Sequence, residues 1–414
     1  MTYETMPTAA ALDNAKAASA ARAGKAPAAA RVILALLAKL RHGALTVHLP
    51  DGAVRHFGGA DGQAIVLELK NWNLFTAALR SGDIGFAESY IAGDWSTTDL
   101  PALIELMARN RDTIEALVYG SWWGSLVYRL RHLLNRNSKA GSRKNIHAHY
   151  DIGNAFYRLW LDPSMTYSSA LYGELTGDNL ELAQAAKYRR ILDQLALPPD
   201  ARVLEIGCGW GGFAEMAARA GSSVVGVTLS TEQLAYAKAR IERAGLAEQV
   251  DLQLCDYRDS SGQFDAIASI EMFEAVGESY WPSYFACIAA RLKPGGRACV
   301  QTITIADELF ERYRKSTDFI QQFIFPGGML PSPTVFAQQA AAHGLKVVDQ
   351  FGFGLDYART LATWRVAFHS QLEQVRAQGF DDTFIRTWEF YLCYCEAAFR
   401  AKNTDVMHFT LVKA

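Results

Sequence analysis

Val203-Leu204-Glu205-Ile206-Gly207-Cys208-Gly209-Trp210-Gly211-Gly212 is the stretch on which the fold turns. A short apolar run ends in an acid followed by a glycine-rich turn, and helix-compatible sequence begins at Phe213. A buried strand that breaks in this way brings backbone N–H groups close to a ligand at the helix N-terminus, because glycine has no side chain to keep it away. A dinucleotide-binding loop would be spaced GxGxxG. Gly207, Gly209 and Gly211 are spaced GxGxG after Glu205, which favours S-adenosylmethionine over NAD.

Around this loop the rhythm is strand, helix, strand. Arg202 to Gly207, Ser223 to Leu229, Val250 to Cys255, Phe264 to Ile270 and Arg297 to Thr302 are short apolar runs separated by helix-length segments, as parallel βαβ units require. Lys346 to Phe351 and His408 to Val412 complete a sheet of seven strands. The expected architecture over residues 150–414 is α/β, a class I methyltransferase Rossmann-like fold with a mostly parallel seven-stranded sheet. The second strand runs into Thr228 and Gln233, where such enzymes bind a ribose. The third ends at Asp256-Tyr257, where an acid can accept from an adenine amino group and an aromatic ring can stack.

Upstream, Arg31 to about Asn110 mixes alternation, in Leu45 to Leu49 and Ala64 to Leu69, with helical spacing in Leu100 to Met107. This predicts a smaller N-terminal α+β domain over 31–135. Residues 1–30 are rich in alanine and read as a mobile, mildly basic arm. A basic connector spans 136–149.

Several ordered motifs identify the chain as similar to the cyclopropane fatty acid synthase family, which includes the mycolic acid methyltransferases. They are His149-Tyr150-Asp151-Ile152-Gly153-Asn154, Met165-Thr166-Tyr167-Ser168-Ser169, the glycine loop, Ser269-Ile270-Glu271-Met272-Phe273-Glu274-Ala275-Val276-Gly277 and Phe325-Pro326-Gly327-Gly328. The resemblance covers about Asn145 to Lys402 and is thinner upstream, at Glu88-Ser89-Tyr90 and Gly93-Asp94-Trp95, as in longer members with a lipid-binding N-terminal domain. It implies S-adenosylmethionine as cofactor, held by Tyr167, Ser168, Gly207, Gly209, Thr228, Gln233 and Tyr257. Glu205, Gly211 and Asp256 join this set from the reading of the residues themselves. It also implies methyl transfer to the double bond of an unsaturated phospholipid acyl chain, giving a cyclopropane fatty acid, and leaves room for a homodimer.

An isolated alkene is a weak nucleophile, so its methylation must pass through carbocation character in a water-excluded pocket, where aromatic faces stabilise the cation. Phe273, Phe323, Phe325, Tyr357 and Trp364 are the aromatic candidates. A base must then remove a proton. In the resembled family a bicarbonate ion does so, held by Cys, Glu, His, Tyr and an Ile amide. Glu274, Tyr357 and Ile303 match three of these positions, but Ser169 stands at the Cys position and Gln301 at the His position. Ser169 can keep the backbone donor and Gln301 can donate a hydrogen bond, but neither restores the thiol or a charged imidazole. Bicarbonate would then bind more weakly or be absent. Proton loss from a neighbouring chain carbon would then leave a methylene or methyl branch in place of a ring. A catalytically silent lipid-binding homologue is the reading from another class. Cys395 matches a further family cysteine and reads as structural.

With 414 residues, half of them hydrophobic, and a net charge of −2, the chain gives no global argument for nucleic acid. The six cysteines lack paired zinc-ligand spacing, so no metal site is expected and a reduced, cytoplasmic compartment fits. No apolar stretch is long enough to span a bilayer. Between Ser121 and Tyr150 there is no acid, while Arg129, Arg131, Arg136, Lys139, Arg143 and Lys144 accompany Trp122, Trp123 and Tyr128. That combination suits peripheral contact with an anionic membrane at its inner face.

Overall fold

The computed structural model describes residues 26–59, 64–113 and 152–413, and the chain divides into two compact units, 1–124 and 125–414. The arm over 1–25, the aromatic and basic segment from Ser121 and the connector 136–149 lie outside the described residues.

The N-terminal unit contains α1 (Ala28–Leu37), β1 (Ala44–His48), β2 (Val54–Gly58), β3 (Ile65–Leu69), α2 (Asn73–Ile91), β4 (Trp95–Thr97) and α3 (Leu100–Arg109). Helix α1 begins inside the stretch read as an arm, and Ala30 is fully buried, so the folded unit starts before residue 31. The sheet order is β2-β1-β3-β4, with β1 and β3 parallel and the outer pairs antiparallel. Alternation does its expected work here, burying Leu45, Val47, Leu67 and Leu69 on one face. Helix α3 starts at an Asp99 cap that accepts from the Ala102 N–H at 2.9 Å. Helix α2 is broken at Gly82 (φ 60°, ψ −131°), and a Cβ on Gly85 would stand 2.0 Å from the Ala77 carbonyl oxygen, so its two halves touch backbone to backbone. The motif residues of this unit are structural. The Trp95 indole donates to Ser89 Oγ at 2.9 Å, and Asp94 accepts from Asn71 at 2.7 Å.

The second unit opens its sheet region with α4 (Leu180–Leu195) and then runs β5 (Arg202–Ile206), α5 (Gly212–Arg219), β6 (Ser223–Thr228), α6 (Thr231–Arg243), β7 (Val250–Leu254) and β8 (Phe264–Ile270). It continues through α7 (Trp281–Arg291), β9 (Leu292–Ile305), α8 (Pro333–Ala342), β10 (Leu345–Gly352), α9 (Gly354–Ser370), α10 (Asp382–Arg400) and β11 (Thr404–Lys413). All seven expected strands are present, in the order β10-β11-β9-β8-β5-β6-β7. Only β11 runs antiparallel to its neighbours. This is the class I methyltransferase sheet.

Apolar side chains on both faces explain why the central strands are continuous runs: Val203, Leu204, Ile206, Ala266, Ile267 and Ala268 are all buried. Strand order reverses between β5 and β8, so the chain leaves their carboxyl ends in opposite directions and opens a crevice there. The glycine loop follows β5 and Glu271 follows β8, which puts both at that crevice. Among the described residues no helix is long and apolar enough to cross a membrane.

Candidate active site

The crevice holds a cavity whose wall includes every expected cofactor residue except Gly211 and Asp256. The Gly207 and Cys208 N–H groups donate to the Val227 carbonyl at 2.9 and 3.0 Å, pinning the loop to β6. A Cβ on Gly207 would stand 2.9 Å from Met272 Cγ. Gly209 has φ +49°, and a Cβ there would meet no protein atom within 4 Å, so its missing side chain leaves open cavity. Gly211 serves packing instead, since its Cβ would press on Ala237 at 3.1 Å. Asp256 is committed elsewhere. Its oxygens take the Arg258 guanidinium at 2.8 and 2.6 Å and the Arg258 N–H at 3.0 Å, so the expected adenine acceptor is the partner of an arginine.

Thr228 donates to Gln233 Oε1 at 3.2 Å, which leaves the Gln233 NH2 as the donor it can offer a ligand. Glu205 is buried, its Oε2 has no hydrogen-bond partner, and burial pushes its carboxyl well above the usual range. An unpaired buried acceptor beside open space at Gly209 suits a ligand carrying cationic groups, and S-adenosylmethionine carries an ammonium and a sulfonium. Ser168 is fixed from behind. Buried Lys187 donates to its hydroxyl and to Gln184 Oε1 at 2.8 Å, while Gln184 Nε2 donates to the Ser168 carbonyl at 2.8 Å. Burial lowers the Lys187 ammonium to about 7, against the opposing pull of Glu271, Asp162 and Glu205.

Glu271, on the same cavity wall, is the hub of the residues expected to hold an anion. Its Oε1 accepts the Ser169 N–H at 2.8 Å and Gln301 Nε2 at 2.7 Å, and its Oε2 accepts the Tyr357 hydroxyl at 2.6 Å. Burial raises the Glu271 carboxyl, and the hydrogen bonds from Tyr357, Ser169 and Gln301, with the Lys187 charge, act against that rise. The Ser169 hydroxyl turns away and donates to Ala170 O at 3.0 Å. Glu271 also has φ +49°, a left-handed torsion that is uncommon for a residue with a side chain.

His408 fixes the sense of the Gln301 amide. Arg190 Nη1 lies 3.3 Å from His408 Nδ1 and can only donate, so Nδ1 accepts and Nε2 carries the proton. His408 Nε2 then donates to Gln301 Oε1 at 2.9 Å, and the Gln301 NH2 faces Glu271. Burial, with Arg190 and Lys187 nearby, drives His408 well below its ordinary value, so the ring is neutral.

Glu274 accepts the Ile303 N–H through Oε1, and its Oε2 is buried without a partner. Burial, and then the Glu271 charge, push its carboxyl up to about 8, so it is mostly protonated at neutral pH. The Phe325-Pro326-Gly327-Gly328 turn supports it from behind, with the Met329 N–H donating to the Glu274 carbonyl at 2.9 Å. Cys395 is half-buried and its thiol is held well above its ordinary value, first by desolvation, so it stays protonated.

Two of the aromatic candidates stand at this cluster. Tyr357 stacks on Phe399 at 4.6 Å and meets Trp364 edge-on at 6.2 Å, and Trp364 lies 5.4 Å from Tyr167. Phe273 belongs to the core, stacked with Trp281 at 5.6 Å, because the turn after β8 points it inward. Phe323 is 39% exposed. Glu271, Lys187, Gln184 and His408 were not singled out from sequence. Gln184 and Lys187 do fall in helical phase with the buried Ala183, Tyr188 and Ile191, and polar residues on an inward stripe were the available signal.

The sequence model of the family described as mycolic acid cyclopropane synthetase matches residues 137–409. The chain is 36% identical over 430 residues to the tuberculostearic acid methyltransferase of Mycobacterium tuberculosis, covering 100% of this chain and 99% of that protein. It is 37% identical over 346 residues to the cyclopropane-fatty-acyl-phospholipid synthase of Escherichia coli, covering 82% and 86%. A crystal structure of a mycolic acid cyclopropane synthase complexed with SAH and CTAB superposes with a TM-score of 0.61 at 31% identity, over 66% of this chain and 98% of that one.

Proposed function

We propose, from the premise that this chain belongs to the mycolic acid cyclopropane synthetase family of S-adenosylmethionine-dependent methyltransferases, that it methylates the double bond of an unsaturated phospholipid acyl chain and leaves a methylene branch. The observation that carries this reading is a half-buried carboxylate, Glu271, on the wall of the cofactor cavity with Tyr357 and Trp364 beside it. A cation formed on carbon needs both an aromatic wall to stabilise it away from water and a base to take its proton.

S-adenosylmethionine supplies an electrophilic methyl group. Gly207, Gly209, Thr228, Gln233 and Tyr257 hold it, and Glu205 offers its unpaired oxygen to a positive group. Lys187 and Gln184 keep Ser168 in place on the same wall. Tyr357 and Trp364 present rings to a developing positive charge.

The branched product is favoured by the full-length relative named as a tuberculostearic acid methyltransferase. Ring closure is the second reading, favoured by the synthase from Escherichia coli. The two products are isomers, and proton nuclear magnetic resonance separates an exocyclic methylene from a ring CH2. The decisive assay incubates the protein with labelled cofactor and vesicles of unsaturated phospholipid. Label in the acyl chain supports the reading, and its complete absence overturns it.

The basic and aromatic residues between Ser121 and Tyr150 supply the membrane contact in this reading. Sedimentation with anionic vesicles should weaken with salt and after Arg129, Arg131 and Arg136 are replaced by Glu.

A further inference from the structure

We propose that the Glu271 carboxylate is the built-in base of this enzyme and fills the place of a free anion, so that turnover requires no bicarbonate. The inference rests on the carbon-methylation reading above and deepens it.

The argument starts from donors. An anion site is defined by the hydrogen-bond donors aimed at it, and three residues that stand at such positions, Ser169, Gln301 and Tyr357, all donate to Glu271 at 2.6 to 2.8 Å. A carboxylate and a bicarbonate ion present the same planar pair of oxygens, so one side chain saturates the site. The remaining donor, the Ile303 N–H, is already given to Glu274. Bicarbonate would have to displace a covalently tethered competitor that is always present. The residues therefore do not fit a bound bicarbonate.

The second line is access. Glu271 lines the cavity that holds the glycine loop, so its oxygens and the methyl donor share one space. Its φ of +49° turns the chain immediately after β8 and carries the side chain into the donor cluster, and strain of this kind concentrates at functional positions.

The third line is elimination among the neighbouring groups. The Tyr357 hydroxyl is a donor to Glu271, the Gln301 amide has no basic atom, and His408 sits behind Gln301 with its Nδ1 engaged by Arg190. The Cys395 thiol, on a half-buried residue, is held protonated.

The step balances as follows. The alkene π pair forms the new carbon–methyl bond as the sulfonium C–S bond breaks and leaves its electron pair on sulfur. For the methylene branch, a hydride first moves with its electron pair from the methyl-bearing carbon to its cationic neighbour. A C–H bond of the new methyl group then gives its pair to an exocyclic C=C bond and its proton to a Glu271 oxygen. For a ring, no hydride moves, and the methyl C–H pair forms the closing C–C bond while the same oxygen takes the proton. That proton passes to solvent after product leaves, and no oxidant or reductant is required.

The test uses the full chain as wild type, Glu271→Gln and Glu271→Gly. Glycine accepts the left-handed torsion without strain, so Glu271→Gly is expected to fold and to leave an empty anion-sized space. Methyl transfer is measured in carbonate-depleted buffer with and without added bicarbonate, cofactor affinity by calorimetry, and bicarbonate binding to the protein alone by titration. Wild type should turn over equally with and without bicarbonate and should not bind it. Both variants should lose activity by about a hundredfold or more while still binding cofactor, and bicarbonate should bind to and partly rescue Glu271→Gly alone. Bicarbonate binding by wild type, a bicarbonate-dependent wild-type rate, or full activity in Glu271→Gln would each overturn the proposal. The bicarbonate titration needs no lipid, so it decides this point even if the acceptor proves not to be an alkene.

Discussion

Replacing Gly209 by alanine adds one methyl group at the place where the structure has the most to lose by it. The added Cβ would meet no protein atom within 4 Å, so the substitution makes no steric clash inside the protein. What it does within the protein is torsional. At φ +49° an L-residue costs roughly 1–2 kcal/mol relative to glycine. Gly177 has φ +51°, likewise with nothing within 4 Å of its Cβ, and lies outside the cavity wall, so Gly177→Ala measures that torsional cost alone. The two variants should therefore lose similar stability in denaturant titrations. They should part company in calorimetry with S-adenosylmethionine. Gly209→Ala should bind at least tenfold more weakly, a loss of ~1.4 kcal/mol, because the ligand must retreat from the backbone. Gly177→Ala should bind as wild type does. Unchanged affinity in Gly209→Ala would refute the placement of the cofactor against this glycine, and equal weakening in both would mean that strain, not contact, governs binding.

Three further outcomes follow from the buried polar groups. Glu274 has its carboxyl raised from 4.5 to about 8, so between those values the unfolded chain releases a proton that the folded one keeps, and stability falls as pH rises across that window. Glu274→Gln should flatten that slope in denaturation curves measured from pH 5 to pH 8, and an unchanged slope would count against a protonated Glu274. Asp256→Asn should cost about 2 kcal/mol of stability, because it removes the ionised partner of Arg258, while leaving cofactor affinity unchanged. A large loss of affinity would restore Asp256 as a cofactor ligand. Lys187→Met should reduce cofactor affinity about tenfold, since the amine that positions the Ser168 hydroxyl is lost, and calorimetry at neutral pH reads this directly.

The N-terminal unit illustrates where local sequence is silent. Strands β1 and β3 were legible because one face is buried and their residues alternate. Strand β2 pairs with β1 yet is mostly exposed, so Val54-Arg55-His56-Phe57-Gly58 carries no pattern of burial. Helix α2 was missed for a related reason. Its break at Gly82 turns the buried stripe partway along, and no single helical period runs through it.

In the catalytic unit the sequence alone determined the seven strands, the glycine loop and most of the cofactor wall. Those features are local: an apolar run long enough to be a buried strand, and a glycine whose torsion no other residue adopts cheaply. It also brought Ser169, Gln301 and Tyr357 to notice. Only the tertiary structure decided what those donors point at. Gln301 on β9 stands opposite His408 on β11, 107 residues away, because the two strands pair in that register, and this pairing orients the amide toward Glu271. Arg258 captures Asp256 from two residues away through a turn whose shape spacing does not state. Hydrogen bonds depend on the direction of each donor, and direction is set when distant strands and helices lock together.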